Sequence, residues 1–293
     1  MTSTSISAEP SLRTGPVVIA DVPLPEPLAL PADAGAPRRI ASLATGVAET
    51  LVALGAADRI VGRDETSTAP QIADVPVVTR AHSVSAERVL ATEPDVVLVD
   101  SSTSPPEALE QIRAAGVDVV EVPEAWSTRD VQARTAAVAS AAGMPATEAS
   151  EAAATWVTSA GPSSMTSIPR VAFLYLRGTS AVYLLGGEGS GADDLIESAG
   201  GVDVGAEAGL GPFTPLTAEA LASANPDVLL VMDKGLESVG GLSGLQSLPG
   251  VAQTRAAREG RIVSVPDTLL LSFGPRTGAL ISALQESFAD LGP

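Results

Sequence analysis

Apolar positions along the chain fall into two patterns that predict alternating strands and helices. Short segments rich in apolar residues at 39–43, 59–62, 75–78, 117–122, 171–176, 181–185 and 261–265 read as strands. Between them, residues 46–54, 107–115, 128–142, 146–159, 192–198 and 275–291 read as helices, the last with apolar side chains at helical spacing. Gly55 and Gly143 stand where two of these helices should stop, and Pro145 opens the next one. Strands alternating with helices predict small, mainly parallel sheets covered on both faces.

One unit of this pattern occurs twice. His82-Ser-Val-Ser-Ala-Glu-Arg-Val-Leu-Ala-Thr-Glu-Pro-Asp-Val-Val-Leu-Val99 has an echo in the segment Pro215–Val231, which falls without a gap on Ser83–Val99. Ala86-Glu87 falls on Ala218-Glu219, Pro94-Asp95-Val96 on Pro226-Asp227-Val228, and Leu98-Val99 on Leu230-Val231. In each copy a hydroxyl, Ser85 or Thr217, is placed to cap a short helix. A glutamate at its second position lies near the positive end of the dipole. A Pro-Asp turn and a buried strand follow. A unit repeated this far apart predicts two lobes on one plan.

The resulting division is a weakly ordered leader over 1–37, a first lobe over 38–143, an interlobe helix within 144–162, and a second lobe over 163–293. The leader is rich in Ser, Thr and Pro, which favours an extended, loosely held chain.

Charge and composition narrow the function. With 293 residues the chain is long enough for two cores, and a net charge of −18 excludes a basic face for nucleic acid. Lys234 is the only lysine and there are no cysteines, so disulfides and thiolate metal sites are ruled out. No apolar run reaches the length of a membrane span, and residues 1–7 lack the basic and apolar regions of a secretory signal.

Candidate chemistry is sparse. The single histidine, His82, rules out a multi-imidazole metal site, and no nucleophile elbow accompanies it. Gly186-Gly-Glu-Gly-Ser-Gly191 lies between a strand and a helix, as a dinucleotide loop does, with Glu207 downstream. The stretch around Glu207 is not an apolar strand, however, so a tight turn opening a helix is the better reading. Tyr175-Leu-Arg177 is more telling. Residues two apart on a strand share a face, so a phenol and a guanidinium stand side by side. A fixed positive charge stabilises phenolate, a donor for ferric iron. Taken singly, Tyr175 also reads as an ordinary sheet-edge tyrosine and His82 as a surface-loop histidine.

Several segments resemble the haem-binding substrate-binding lipoproteins of bacterial haem ABC importers, within the cobalamin, siderophore and haem group of periplasmic binding proteins. They include Val61-Gly-Arg-Asp64, Ala81-His-Ser-Val-Ser-Ala-Glu87, Phe173-Leu-Tyr-Leu-Arg-Gly178 and Val182-Tyr183. Glu188-Gly-Ser-Gly-Ala-Asp193, Lys234-Gly-Leu-Glu-Ser-Val-Gly-Gly241 and Ser272-Phe-Gly-Pro-Arg276 extend the likeness almost to the C-terminus. The resemblance implies an α/β fold of class III type, in which two lobes with mainly parallel central sheets are joined by a single connecting helix. It implies haem b as transported ligand, with His82 and Tyr175 on the iron. Arg177 would be hydrogen-bonded to the tyrosinate, and Arg276 would be a propionate contact.

Glu87 and Glu219 are implied as docking residues for the membrane permease. The implied protein is a monomer without catalytic activity or nucleic-acid partner, located outside the cytoplasm at the cell surface or membrane. The family's export signal and lipidated cysteine have no counterpart in this sequence. A ferric-siderophore or cobalamin carrier of the same fold is the alternative, and a nucleotide-dependent enzyme using the 186–191 loop is the reading from another class.

Overall fold

The computed structural model describes residues 15–80, 83–158, 167–178, 183–215 and 217–291. The chain opens with β1 (Val17–Val18) and an extended segment, then enters the first lobe. There β2 (Ile40–Ser42), α1 (Val47–Ala53), β3 (Ile60–Gly62), the hairpin strands β4 (Thr79–Arg80) and β5 (Ser83–Val84), and α2 (Ala86–Leu90) follow in order. β6 (Val96–Val99), α3 (Pro106–Ala114) and β7 (Asp118–Glu121) complete it. The sheet order is β3-β2-β6-β7, all parallel, as the alternation of strands and helices predicts. The run at 75–78 contributes only an isolated bridge, Val77 to Arg63.

Two helices leave this lobe, α4 (Asp130–Ala141) and α5 (Ala146–Val157). α5 packs against α4 on one side and against the C-terminal helix on the other. The second lobe contains β8 (Arg170–Leu176), β9 (Tyr183–Leu185), α6 (Ala192–Ser198), β10 (Val202–Asp203), α7 (Val204–Glu207) and β11 (Thr214–Pro215). After these come α8 (Ala218–Ala224), β12 (Val228–Met232), α9 (Asp233–Ser238), α10 (Gly241–Ser247) and α11 (Arg255–Glu259). β13 (Ile262–Val265), α12 (Asp267–Leu270) and α13 (Thr277–Leu291) close the chain. The second sheet is mixed: β1, β13, β12, β8 and β10 are parallel, whereas β9 runs antiparallel to both of its neighbours, β8 and β11.

Period-two alternation divides the interior into layers. Ile40, Val96 and Leu98 point into a central core, and Ala41, Val97 and Val99 point to the outer face of the first lobe. Val171, Phe173, Val228 and Leu230 enter the same central core from the other sheet. Ala172, Leu174, Leu229 and Val231 cover the outer face of the second lobe. α1, α4, α5, α6 and α13 fill the space between the sheets, so the two lobes share one continuous core.

Residues 17–37 differ from the loose leader expected of their composition. β1 adds to the second sheet beside β13, and Ile19 and Val22 are buried in the central core. The segment then crosses to the first lobe. The Leu28 N–H donates to Ala53 O at 2.8 Å, and the Asp33 N–H donates to Gly143 O at 2.8 Å. Gly55, at φ +87, is required here, because a Cβ on it would lie 1.9 Å from the Leu28 carbonyl oxygen. Proline spacing hides the contacts from a periodicity search, since Leu24, Leu28 and Leu30 reach the core from an extended chain.

Candidate functional site

The repeated unit folds as its sequence predicts. The Ser85 hydroxyl accepts from the Arg88 N–H at 3.4 Å, and the Thr217 hydroxyl accepts from the Ala220 N–H at 3.2 Å. Glu87 and Glu219 sit at matched positions in the first turns of α2 and α8, and both are exposed. Both carboxylates lie near the positive ends of their helices.

Tyr175 lies next to last on β8, opposite Leu184 of β9, and is half-buried. Arg177 follows the strand and is exposed. Its Nε donates to the phenol oxygen at 2.8 Å, and a second guanidinium nitrogen donates to the same oxygen. The guanidinium carbon stands 5.1 Å from the ring centroid. The i, i+2 expectation for this pair therefore holds in side-chain detail. On its other side, the Tyr175 ring meets Phe213 edge-on, with centroids 5.3 Å apart at 65°. Sequence reasoning did not find Phe213.

His82 lies outside the described residues. The segments on either side of positions 81–82, β4 and β5, form an antiparallel pair. The structure thus brings together Tyr175 and Arg177, while the position of His82 relative to them is undescribed.

Arg276, expected as a propionate contact, is buried. Its side chain is 8% exposed and held by carboxylates: Nη2 donates to Glu49 at 3.0 Å, and Nη1 donates to Asp21 and to Val22 O. Burial pushes the Glu49 carboxyl up, partly offset by the Arg276 charge and by a hydrogen bond from the Thr68 N–H. A cavity of about 270 Å³ opens beside this cluster, lined also by Thr68, Pro266 and Thr268. The guanidinium thus forms an ion-pair junction between three segments of the chain.

The glycine run is occupied by protein rather than shaped for phosphate. A Cβ on Gly187 would lie 2.4 Å from the Leu210 carbonyl oxygen, and the Glu188 N–H donates to that oxygen at 2.9 Å. The Gly189 N–H is taken by Asp193 at 2.7 Å, and Asp193 and Asp194 both lie in the first turn of α6. These carboxylates repel a pyrophosphate where a dinucleotide loop attracts one. A groove of about 730 Å³ beside the run is lined by Asp130, Glu188, Asp193, Glu197 and Glu207 against Arg129 alone, and Tyr175 is not part of it.

The chain is similar to several proteins of known structure. RhuT of Roseiflexus sp. RS-1, a periplasmic heme-binding protein solved in apo form, is 39% identical, with a TM-score of 0.79 over 87% of this chain and 98% of that one. The heme-binding protein HmuT is 35% identical, with a TM-score of 0.79 over 94% of this chain and 97% of its own. HmuT is also solved with a histidine, a tyrosine or an arginine changed to alanine, the last two being two positions apart. BhuT, solved with two hemes, is 35% identical, with a TM-score of 0.71 over 88% and 99% of the two chains. YvrC of Bacillus subtilis, an uncharacterized ABC transporter substrate-binding lipoprotein, is 31% identical over 97 residues, 32% of this chain. That match spans 31% of the length of the curated relative. The profile of the periplasmic binding protein family matches residues 40–269, most of both lobes. The chain belongs to the periplasmic binding protein family.

Proposed function

We propose that the protein binds haem outside the cytoplasm and delivers it to the membrane permease of an ABC importer, without catalysis. The observation that carries this reading is the phenol of Tyr175 held by two hydrogen bonds from Arg177. The tyrosine and arginine replaced in HmuT have the same two-residue spacing, and the solved relatives RhuT, HmuT and BhuT are haem-binding proteins.

In this reading Tyr175 is the anionic iron donor and His82 the second axial ligand. The ligand is haem b, the protein acts as a monomer at the cell surface or membrane, and Glu87 and Glu219 dock on the permease. Arg177 neutralises the charge that the phenol acquires when it binds ferric iron. A ferric-siderophore or cobalamin carrier of the same fold remains the second reading, but a tyrosine locked to an arginine favours a ligand with an open axial position on iron.

Haemin titration followed in the Soret region tests the proposal. A saturable change ending at one equivalent per chain is expected, unaffected by cobalamin or a ferric siderophore as competitor. Tyr175→Phe removes the tyrosinate charge-transfer absorption and leaves a weaker complex through His82. His82→Ala keeps that absorption and loses the sixth ligand. Reversing both Glu87 and Glu219 leaves the titration intact and abolishes import in permease vesicles. A wild-type protein that shows no saturable haemin change, or prefers cobalamin, overturns the reading.

A further inference from the structure

The glycine run and the tyrosine are parts of one construction, and Phe213 connects them. Gly186 and Gly187 follow β9, and each is close to its neighbours. A Cβ on Gly186 would lie 2.6 Å from the Phe173 ring, and one on Gly187 would lie 2.4 Å from Leu210 O and 2.8 Å from Gly211 O. Only a backbone without a side chain at 187 lets the 210–211 segment lie flat on this turn, while the bare Gly186 leaves room for the Phe173 ring beneath it. The Glu188 N–H donates to Leu210 O at 2.9 Å, and β11 then pairs with β9 in the register Thr214 to Leu185. Phe213 lies between these two anchors.

Its backbone is in the left-handed region, at φ 52, which is costly for a bulky aromatic residue and persists where the surroundings impose it. The conformation presents the ring edge-on to Tyr175 at 5.3 Å. Arg177 holds the phenol oxygen and Phe213 holds the ring. A tyrosine fixed at both its oxygen and its ring has lost the rotational freedom that an iron donor must otherwise give up on binding.

We propose that Phe213 is a positioning residue for Tyr175, seated by the Gly186-Gly187 turn, and that it pre-orients the phenol for the haem iron. The proposal rests on the reading of Tyr175 as the iron donor. Phe213 touches the donor rather than the metal, so it acts through Tyr175.

Two variants test it. Phe213→Leu keeps apolar bulk but removes the ring. Gly187→Ala leaves both aromatic residues in place and displaces the segment that carries Phe213. Each is measured in the apo protein by spectra of ring-labelled tyrosine and of the Arg177 Nε–H, and in the loaded protein by haemin affinity and tyrosinate charge-transfer absorption. Far-UV circular dichroism confirms that each variant folds.

In the wild type a protected Arg177 Nε–H and a Tyr175 ring displaced from free-tyrosine positions are expected. Both variants should average the ring signals and expose the Arg177 Nε–H, which is bonded to Tyr175. Haemin affinity should fall roughly two- to tenfold, the range of an aromatic pair, with a weakened charge-transfer band. Unchanged Arg177 and ring signals in both folded variants overturn the proposal. If the wild type binds no haemin, the reading of function fails, while the apo spectra still decide whether Phe213 holds the tyrosine.

Discussion

Asp203 caps the start of α7 with one carboxylate oxygen, accepting from the Ala206 N–H at 2.7 Å, while the other is buried without a partner. Burial, assisted by the nearby Asp193 and Glu197 charges, pushes its pKa up from 3.8 to about 6 against the lowering by backbone hydrogen bonds. Between those two values the folded protein binds the proton more tightly than the unfolded chain, so stability falls as pH rises through this window. An asparagine keeps the capping oxygen and does not titrate. The stability of Asp203→Asn relative to wild type should therefore increase by roughly 2–3 kcal/mol between pH 4 and pH 7, since each tenfold change in proton affinity is worth about 1.36 kcal/mol. Urea denaturation of both proteins across this range checks it, and a difference that stays flat with pH rejects the assignment. At this scale the sequence was only partly legible. Tyr175 and Arg177 could be paired because strand geometry relates i to i+2 locally. Phe213 could not, because its approach depends on a left-handed residue and on a turn some 25 positions earlier, at Gly187.

The repeated unit shows what a local pattern conveys about an element and what it leaves out. Its caps and buried strands were legible, since a hydroxyl before a short helix and an unbroken apolar run each have a local physical cause. The function of its Pro-Asp turn emerges only in three dimensions. The Asp95 carboxylate accepts from the Arg38 and Arg39 N–H groups at 2.8 and 3.0 Å, and Asp227 accepts from the Arg170 N–H at 3.0 Å. Each lobe thus ties the beginning of its first central strand to the turn of the repeat. The two copies also share a left-handed residue just before the proline, Glu93 at φ 49 and Asn225 at φ 42. Asparagine tolerates that conformation, whereas glutamate pays for a crowded Cβ and places a negative charge near the C-terminal end of α2. Because the contact that Glu93 makes to Arg39 uses its carbonyl oxygen, Glu93→Asn should keep it and stabilise the protein by about 0.5–1 kcal/mol. An unchanged or lower thermal midpoint would count against strain at this position. The 17–37 segment was illegible for the converse reason: its partners are far away in sequence and prolines remove any period.

At the scale of the molecule, two lobes were evident from the repeat, but the shared core and the junction that closes it were not. Arg276 joins the C-terminal part of the chain to Glu49 on α1 of the first lobe and to Asp21 on the N-terminal segment. A buried arginine that loses its role leaves its partners uncompensated, and breaking such a pair from one side costs about 3–5 kcal/mol. Arg276→Met should lose an amount of this order at neutral pH. Its pH dependence identifies the cause. The Glu49 carboxyl is already raised by burial, and removing Arg276 takes away the largest opposing influence. A raised carboxyl is protonated more readily in the folded state, so its cost is absent below the unfolded pKa and accumulates as pH rises above it. The deficit of Arg276→Met should therefore shrink toward pH 4, and adding Glu49→Gln should recover part of it at pH 7. Haemin affinity distinguishes the junction from a ligand contact. A junction leaves the affinity of the folded variant within about twofold, whereas a propionate held by Arg276 implies a loss of tenfold or more, the ~1.4 kcal/mol or more of a charge-assisted hydrogen bond.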